Sequence, residues 1–251
     1  MNIHENSRKI KKIELIAKNL INDISATHGL RRASRNLVKE LELYKNHLMG
    51  KRLFAKNRAL LNKKNNKIKI QIGGGSHTLE GYINIDIVPP ADILFDVREG
   101  IPIGDDFSEQ IFSEHFFEHI DYPNSAKRFI SECYRILKPG GIMIVGVPDS
   151  ELMLSSYIKR ERGFYNRAIK TWYSKRNCLK DINTYIDLVN YHFRDQDDDA
   201  KYNPHYWAYD FDKLKSLAIN AGFHDVKKWK FNSKIANPKR KFGSIYIEAK
   251  K

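Results

Sequence analysis

Two short stretches of the chain contain residue types that could bind a nucleoside. Three glycines at positions 73–75 follow the alternating isoleucines of residues 68–72, and Asp86 closes the β-prone stretch at 82–87. Glycines after a strand let the backbone approach a ligand, and a carboxylate after the neighbouring strand can accept hydrogen bonds from two ribose hydroxyls. Thr78 stands where the dinucleotide fingerprint G-x-G-x-x-G needs its last glycine. The spacing therefore predicts a nucleoside site and argues against NAD and FAD.

A second group of residues could bind a metal ion or move a proton. His115, Glu118 and His119 form the pattern H-x-x-E-H, in which zinc peptidases carry two imidazole ligands and a general base. Those enzymes take a further ligand, a glutamate, from well downstream, and no glutamate occurs between Glu161 and Glu248. We therefore predict that no metal is bound by this pattern.

The elements around these residues indicate an α/β domain. Ala126 to Leu137 has one apolar face and is followed by Pro139-Gly-Gly, so a helix is expected to end there. Asp210 is expected to cap a second helix that ends near Gly222. Short β-prone runs lie at 68–72, 82–87, 92–95, 110–112, 142–147, 226–231 and 244–249. A strand, a helix and a further strand in this order predict a parallel pair.

The first 66 residues are predicted to be a separate basic helical appendage. Apolar residues recur at helical spacing in 8–24 and again in 30–48, where Gly50 is expected to stop the helix. A shorter apolar pattern follows at 53–61. Residues 67–251 are expected to form the main domain, in which 151–205 are basic and aromatic without a clear period. That segment is interpreted as an insertion on the substrate side, over the carboxyl edge of the sheet.

The net charge of +14 is distributed unevenly along the chain. Residues 1–67 hold 17 Lys and Arg against 5 Asp and Glu, a net charge of +12, and residues 151–251 hold 21 against 12, a net charge of +9. Residues 68–150 hold 6 against 13, a net charge of −7. We expect the acidic middle to bind something cationic or rich in hydrogen-bond donors, and the basic flanks to meet something anionic.

The sequence shows no signal-peptide core and no run long enough to cross a bilayer, since the apolar run at 142–147 is far short of about 20 residues. Cys133 and Cys178 are too few for a disulfide framework in a chain of this length. A cytoplasmic protein is therefore expected. Any membrane contact would be peripheral, through the basic N-terminal helices at the inner surface.

Four segments in order resemble the class I S-adenosylmethionine-dependent methyltransferases, of the methyltransferase type 11 kind. They are IQIGGGSHTLEGYINIDI, ADILFDVREGIPI, IFSEHFFEHI and RFISECYRILKPGGIMIVGVPD, and the later HYWAYDFDKLKSLAINAGFHDVK resembles the C-terminal part of bacterial members. The resemblance covers roughly residues 67–231 and implies a Rossmann-like, doubly wound, mostly parallel sheet with an antiparallel edge strand. It also implies S-adenosylmethionine as the cofactor.

Matched residue by residue, the resemblance assigns the cofactor site. Gly73 and Gly75 would form the turn under the methionine part and Asp86 would clamp the ribose. Asp96, with the backbone of Val97, would bind the adenine edge. Glu114 and His115 would line the site near the sulfonium and the methionine carboxylate.

Methyl transfer to a hydroxyl needs a positioned acceptor and a base. The candidate bases are His119, Asp149 and His205, with His115 as a further candidate. The chain lacks the Asn/Asp-Pro-Pro-Tyr/Phe motif of enzymes that methylate adenine amines, and neither cysteine lies beside a proline, which argues against nucleic-acid bases as acceptors. We hypothesise O-methylation of a sugar, a glycan or another small anionic acceptor, such as a nucleotide sugar or a lipid-linked glycan. An RNA-binding methyltransferase and a non-catalytic cofactor-binding module remain as alternatives.

Overall fold

The computed structural model describes the backbone of residues 3–61, 68–173, 182–194 and 204–251, and the side chains of 8–53, 68–172, 182–194 and 204–251. Its centre is a seven-stranded sheet in the order β3-β2-β1-β4-β5-β7-β6. The strands are β1 Lys69–Ile72, β2 Tyr82–Asp86, β3 Ile93–Leu94, β4 Ser108–Glu114, β5 Leu137–Pro148, β6 His224–Lys228 and β7 Ser244–Lys250.

The sheet has the predicted mixed character. β1 to β5 pair in parallel, whereas β7 pairs antiparallel with both β5 and β6 and so makes one edge antiparallel. No helix lies between β1 and β2, as the short spacing predicts. The α/β fold with a mostly parallel sheet, an antiparallel edge and N-terminal helices is confirmed.

One face of the sheet is covered by α3 Asn124–Ile136 and α7 Phe211–Asn220. The apolar stripe of α3, with Phe129 and Ile136 fully buried, packs on isoleucines of the central strands. Asp210 caps α7 as expected, since its carboxylate accepts a hydrogen bond from the Lys213 backbone N–H at 2.8 Å. The other face is covered by the connection between β6 and β7, including Trp229, Phe231 and Ile235.

The described residues of 150–173 and 182–194 add the helices α4 Ser150–Ile158, α5 Arg162–Ala168 and α6 Tyr185–Arg194, with a π turn at Ile169–Tyr173 after α5. They have a small core of their own, in which Met153, Ala168 and Leu188 are buried. Cys178 lies outside the described residues.

The N-terminal residues form α1 Ile3–Asn22 and α2 His28–Leu61, which pack against each other. The predicted helix end at Gly50 is wrong, because α2 continues through it. A β-carbon at Gly50 would lie 1.5 Å from the carbonyl oxygen of Leu94, so the glycine marks close contact between α2 and β3 rather than a terminus. Within the described residues, no helix is both long and apolar enough to span a bilayer.

Candidate active site

The glycine turn and Asp86 meet at the carboxyl ends of β1 and β2. Gly73 and Gly75 both have positive φ, +71° and +54°, which favours glycine at these positions. The Gly75 backbone N–H donates to Asp86 Oδ2 at 2.8 Å, and the Val88 N–H donates to Asp86 Oδ1 at 3.0 Å. The carboxylate is thereby held in one orientation beside the turn.

The Asp86 carboxylate has acceptor positions left over for a ligand. A carboxylate offers about four acceptor positions, and the two backbone donors to Asp86 use only two of them. No atom lies within 4 Å of the place where a β-carbon at Gly75 would point, so the backbone there is open to a ligand. Two ribose hydroxyls could donate to the remaining acceptor positions.

Asp96 follows β3, and its carboxylate is bound to Arg98. The Arg98 guanidinium donates to both Asp96 oxygens, from Nε at 3.0 Å and from Nη2 at 2.8 Å. Arg98 Nη2 also reaches Glu40 Oε2 on α2 at 3.0 Å, and the two carboxylates raise the pKa of Arg98 further above its usual value. Val97, the residue between Asp96 and Arg98, is buried. The adenine-edge role of Asp96 and Val97 stays a prediction.

The appendage therefore contributes to the wall of this end of the site. The Asp96 backbone N–H donates to His47 Nδ1 at 3.2 Å, and Asn46 Nδ2 donates to the Ile87 carbonyl at 3.1 Å. Burial, followed by the nearby Lys51, lowers the pKa of His47, which keeps its imidazole neutral and able to accept this bond. The sequence signal for His47 was weak: a histidine on the apolar stripe of a helix.

Glu114, the last residue of β4, is buried and faces the segment that leads into β7. Tyr246 Oη donates to its Oε1 at 2.6 Å, and the Asn237 N–H donates to both of its oxygens at 3.2 Å. Arg240 Nη1 donates to its backbone carbonyl at 2.8 Å. Burial and then the Glu114 carboxylate raise the pKa of Tyr246, so its hydroxyl stays a donor. The cofactor contact predicted for Glu114 stays a prediction.

His115 follows with a φ of +51°, unusual for a residue other than glycine. Its Nε2 lies 2.7 Å from Ser244 Oγ and its Nδ1 lies 3.4 Å from Glu118 Oε1. Burial lowers the pKa of His115 well below its ordinary value, with Arg240 and neighbouring histidines adding to the effect. A neutral imidazole at this position can bridge β7 and Glu118.

Two of the three predicted bases lie together. Glu118 and His119 belong to a short 3-10 turn at Phe117–His119, and the ring of His205 lies 4.8 Å from that of His119. His205 Nε2 lies 4.0 Å from Glu118 Oε1, whose side chain is 2% exposed. Asp149 is used differently, because its carboxylate caps α4 by accepting from the Leu152 N–H at 3.0 Å.

The glycine turn and the histidine cluster are joined by one contact. A β-carbon at Gly73 would lie 2.2 Å from Cγ of Phe116, so the ring of Phe116 packs directly on the turn. Phe116 is the residue between His115 and the turn that carries Glu118 and His119. The residue that contacts the glycine turn is therefore followed directly in the chain by the turn that carries Glu118 and His119.

A basic groove is lined partly by residues 238–242, which directly follow Asn237, the residue whose N–H binds Glu114. Arg167, Lys239 and Lys241 line it together with Thr171, Pro238 and the ring of Phe242, over which the Arg167 guanidinium lies at 3.9 Å. Two residues further along the chain, Ser244 meets His115. Sequence analysis missed the groove, because its residues come from two basic stretches that lie far apart in the chain.

The strand order, with the glycine turn after β1 and Asp86 at the end of β2, is that of an α/β domain of Rossmann-like type. A family model described as a methyltransferase domain matches residues 80–145, the stretch from just before β2 into β5. The matched domain, together with the fold, supports an S-adenosylmethionine-dependent methyltransferase, consistent with class I, with S-adenosylmethionine as the cofactor.

Solved methyltransferases share the fold at low sequence identity. A possible histamine N-methyltransferase from Thermotoga maritima is 17% identical, with 86% of this chain and 97% of that chain covered and a TM-score of 0.41. An S-adenosylmethionine-dependent methyltransferase from Archaeoglobus fulgidus is 18% identical, with 81% and 93% covered and a TM-score of 0.40. A phosphoethanolamine N-methyltransferase from Haemonchus contortus, solved with S-adenosylmethionine, is 14% identical, with 79% and 52% covered and a TM-score of 0.39. No curated protein matches the chain.

Proposed function

We propose that this methyltransferase O-methylates a small anionic acceptor of the sugar or glycan class. The observation that carries the proposal is the contact between Phe116 and Gly73, because Phe116 directly precedes the turn that carries Glu118 and His119. Methylation of a hydroxyl needs this neighbourhood, since the attacking oxygen must be held in line and must lose its proton.

The chain's own residues account for the steps around that transfer. S-adenosylmethionine, when bound, supplies a methyl group on a positively charged sulfur. Asp86 and the turn at Gly73 and Gly75 would orient the nucleoside. His119 or His205 would take the proton that the acceptor hydroxyl loses when it receives the methyl group.

The basic groove supports an anionic acceptor. Arg167, Lys239 and Lys241 place three cations around one opening, and the Phe242 ring offers an apolar surface beside them. Phosphate groups bind such clusters, and sugars pack on aromatic rings. A nucleotide sugar or a lipid-linked glycan phosphate carries both features.

A lipid-linked acceptor would bring the protein to a membrane surface, and α1 is suited to that contact. Ile13, Leu15 and Ile16 are exposed on α1, beside the basic residues Lys11 and Lys12. An amphipathic basic helix of this kind lies in the interface of anionic lipids. We propose a cytoplasmic enzyme that contacts the inner membrane surface through α1.

The test is a labelling experiment. Purified protein is incubated with S-adenosylmethionine labelled in the methyl group and with cell extract fractionated into RNA, protein, lipid-linked glycan and soluble nucleotide sugars. We expect label in one of the two sugar fractions. Asp86→Asn should abolish labelling and weaken cofactor binding in calorimetry. Glu80→Gln changes an exposed carboxylate in the connection between β1 and β2 and should change neither.

A second variant tests the groove. Lys239→Ala combined with Lys241→Ala should raise the KM for the labelled acceptor more than it lowers kcat, because the groove binds the acceptor without taking part in the transfer. Label that appears in RNA, with binding that weakens steeply as salt rises, would favour the RNA alternative. Unchanged cofactor binding by Asp86→Asn would contradict the site assignment.

A further inference from the structure

Three side chains with metal-binding atoms converge at the end of β4. Glu118, His119 and His205 each offer one ligand atom, and these three atoms lie within 4.8 Å of one another. Glu118 is buried and His205 is 11% exposed in its side chain, so the group is set into the protein rather than spread on its surface. Around a bound divalent ion such atoms lie roughly 3–3.5 Å apart, given bonds of about 2 Å, so small side-chain rotations would close the site.

The orientation of His205 provides an independent argument. Its Nδ1 lies 2.8 Å from the backbone carbonyl oxygen of His192, and a carbonyl can only accept, so Nδ1 carries a proton. In the neutral ring the lone pair is then on Nε2, which lies 4.0 Å from the Glu118 carboxylate. A metal ion between Nε2 and the carboxylate would bind that lone pair and offset the charge of Glu118. A carbonyl that fixes the far nitrogen of the ring is also the usual arrangement behind a metal-bound histidine.

The ligand set indicates the kind of ion. Two imidazoles and one carboxylate suit zinc and neighbouring divalent transition metals, whereas magnesium and calcium prefer oxygen ligands alone. Three protein ligands leave a fourth position for water or substrate, as in catalytic zinc sites.

The set differs from the one the H-x-x-E-H pattern suggests. The sequence analysis predicted no metal because no downstream glutamate was present, but His205 lies in the place of the further ligand. His115 is directed to Ser244 and to Glu118 instead, and His115 and His119 do not share a helix face.

We infer that Glu118, His119 and His205 form a binding site for a divalent transition metal such as zinc, at the turn that follows Phe116. The metal site stands on its own geometry, and its role rests on the proposed function. There, the open position would bind the acceptor hydroxyl and lower its pKa, so that its proton passes to solvent water. The two histidines would then act as ligands in place of the base role proposed for them.

The test measures metal binding without cofactor or acceptor. Untagged protein stripped with a chelator is titrated with Zn²⁺ in calorimetry, and with Co²⁺ while visible absorption is recorded. We expect one equivalent bound, a tetrahedral Co²⁺ spectrum and a higher melting temperature with Zn²⁺. His205→Ala and Glu118→Gln should each weaken binding at least about tenfold.

The controls separate this site from adventitious binding and from failed folding. His77→Ala and His224→Ala remove exposed histidines elsewhere and should leave binding unchanged. Each variant must keep the circular dichroism spectrum of the parent protein. No binding by the parent protein would overturn the inference, as would unchanged affinity in both His205→Ala and Glu118→Gln. In that case His205 is protonated and pairs with the Glu118 carboxylate without a metal ion. Methyl transfer that persists in chelator-treated protein would overturn only the role of the metal.

Discussion

At the scale of single residues, Gly73 has two separate reasons to be glycine. Its φ of +71° disfavours any other residue, and the Phe116 ring occupies the space that a β-carbon would need. Gly75 shares the first reason but not the second, because nothing lies within 4 Å of its missing β-carbon. Comparing substitutions at Gly73 and Gly75 therefore distinguishes the cost of backbone strain from the cost of steric conflict.

We predict that Gly73→Ala destabilises the unliganded protein more than Gly75→Ala. Both changes carry about 1–2 kcal/mol for the left-handed backbone, and Gly73→Ala adds roughly 1–3 kcal/mol for conflict with the ring. Urea unfolding measures the two differences. Combining Gly73→Ala with Phe116→Ala should cost less than the sum of the single changes. Equal losses in Gly73→Ala and Gly75→Ala would show that the ring moves away freely.

Sequence reasoning at this scale succeeded where the chemistry was local. The glycine turn and Asp86 lie close in the chain, and the structure joins them by a hydrogen bond. His205 and Glu118 are far apart in the chain, so no spacing rule could place His205 within 4.0 Å of that carboxylate. Asp149 was proposed as a base from its residue type, and in the structure its carboxylate caps α4.

At the scale of elements, α1 is attached to α2 by a few specific contacts. Ile10 and Ala17 are buried in the contact, and Glu14 lies between two lysines, 2.7 Å from Lys18 on the same helix and 2.7 Å from Lys45 on α2. Hydrogen bonds from Lys18 and Lys45 lower the pKa of Glu14 to about 2.

We predict that Glu14→Gln lowers the unfolding free energy by about 0.5–1 kcal/mol at pH 7, since exposed ion pairs contribute little each. The pKa of Glu14 is lower in the folded state, so its contribution is complete above about pH 4.5 and is lost as the pH falls towards 2. The unfolding free energies of the parent and the variant should therefore converge as the pH falls from about 4.5 to about 2. Glu80→Gln, the same change in an exposed carboxylate between β1 and β2, serves as the control. If the difference in unfolding free energy between the parent protein and Glu14→Gln stayed constant with pH, the variant would have lost packing rather than charge interactions.

The elements themselves were largely predictable, because each repeats a local pattern. The alternating isoleucines before residue 73 became β1, and the apolar face ending at Ile136 became α3. Gly50 misled the sequence analysis, since a glycine that stops a helix and one that lets a strand approach look alike in sequence. The packing of α2 on β3 was not predictable either, as it depends on contacts between separate parts of the chain.

At the scale of the whole molecule, the charge separates along the chain into regions with different surroundings. The acidic middle segment carries Asp86, Asp96 and Glu114, while the basic N-terminal segment forms the helices that lie against β3. The C-terminal segment contributes Lys239 and Lys241 to the groove. Cationic and anionic ligands are thus expected at different faces of one protein.

We predict that the protein binds vesicles of phosphatidylglycerol and phosphatidylcholine, and binds phosphatidylcholine alone much more weakly. Leu15→Ser with Ile16→Ser should reduce binding about tenfold, because two exposed apolar side chains no longer enter the lipid. Co-sedimentation measures the bound fraction. Leu154→Ser with Ile158→Ser, on exposed residues of α4, is the matched control. Equal binding by both double variants would exclude α1 as the contact.

The contact of Phe116 with Gly73 also bears on how such an enzyme could change its substrate during evolution. The parts proposed for the cofactor lie between residues 73 and 115, and those proposed for the acceptor come mostly from 118–119 and 167–242. Insertions and substitutions in the later stretches can therefore accumulate without disturbing the nucleoside pocket, provided that one aromatic ring still packs on one glycine. Selection for a new acceptor would act on the second half of the chain, and selection for retained methyl transfer would act on the first.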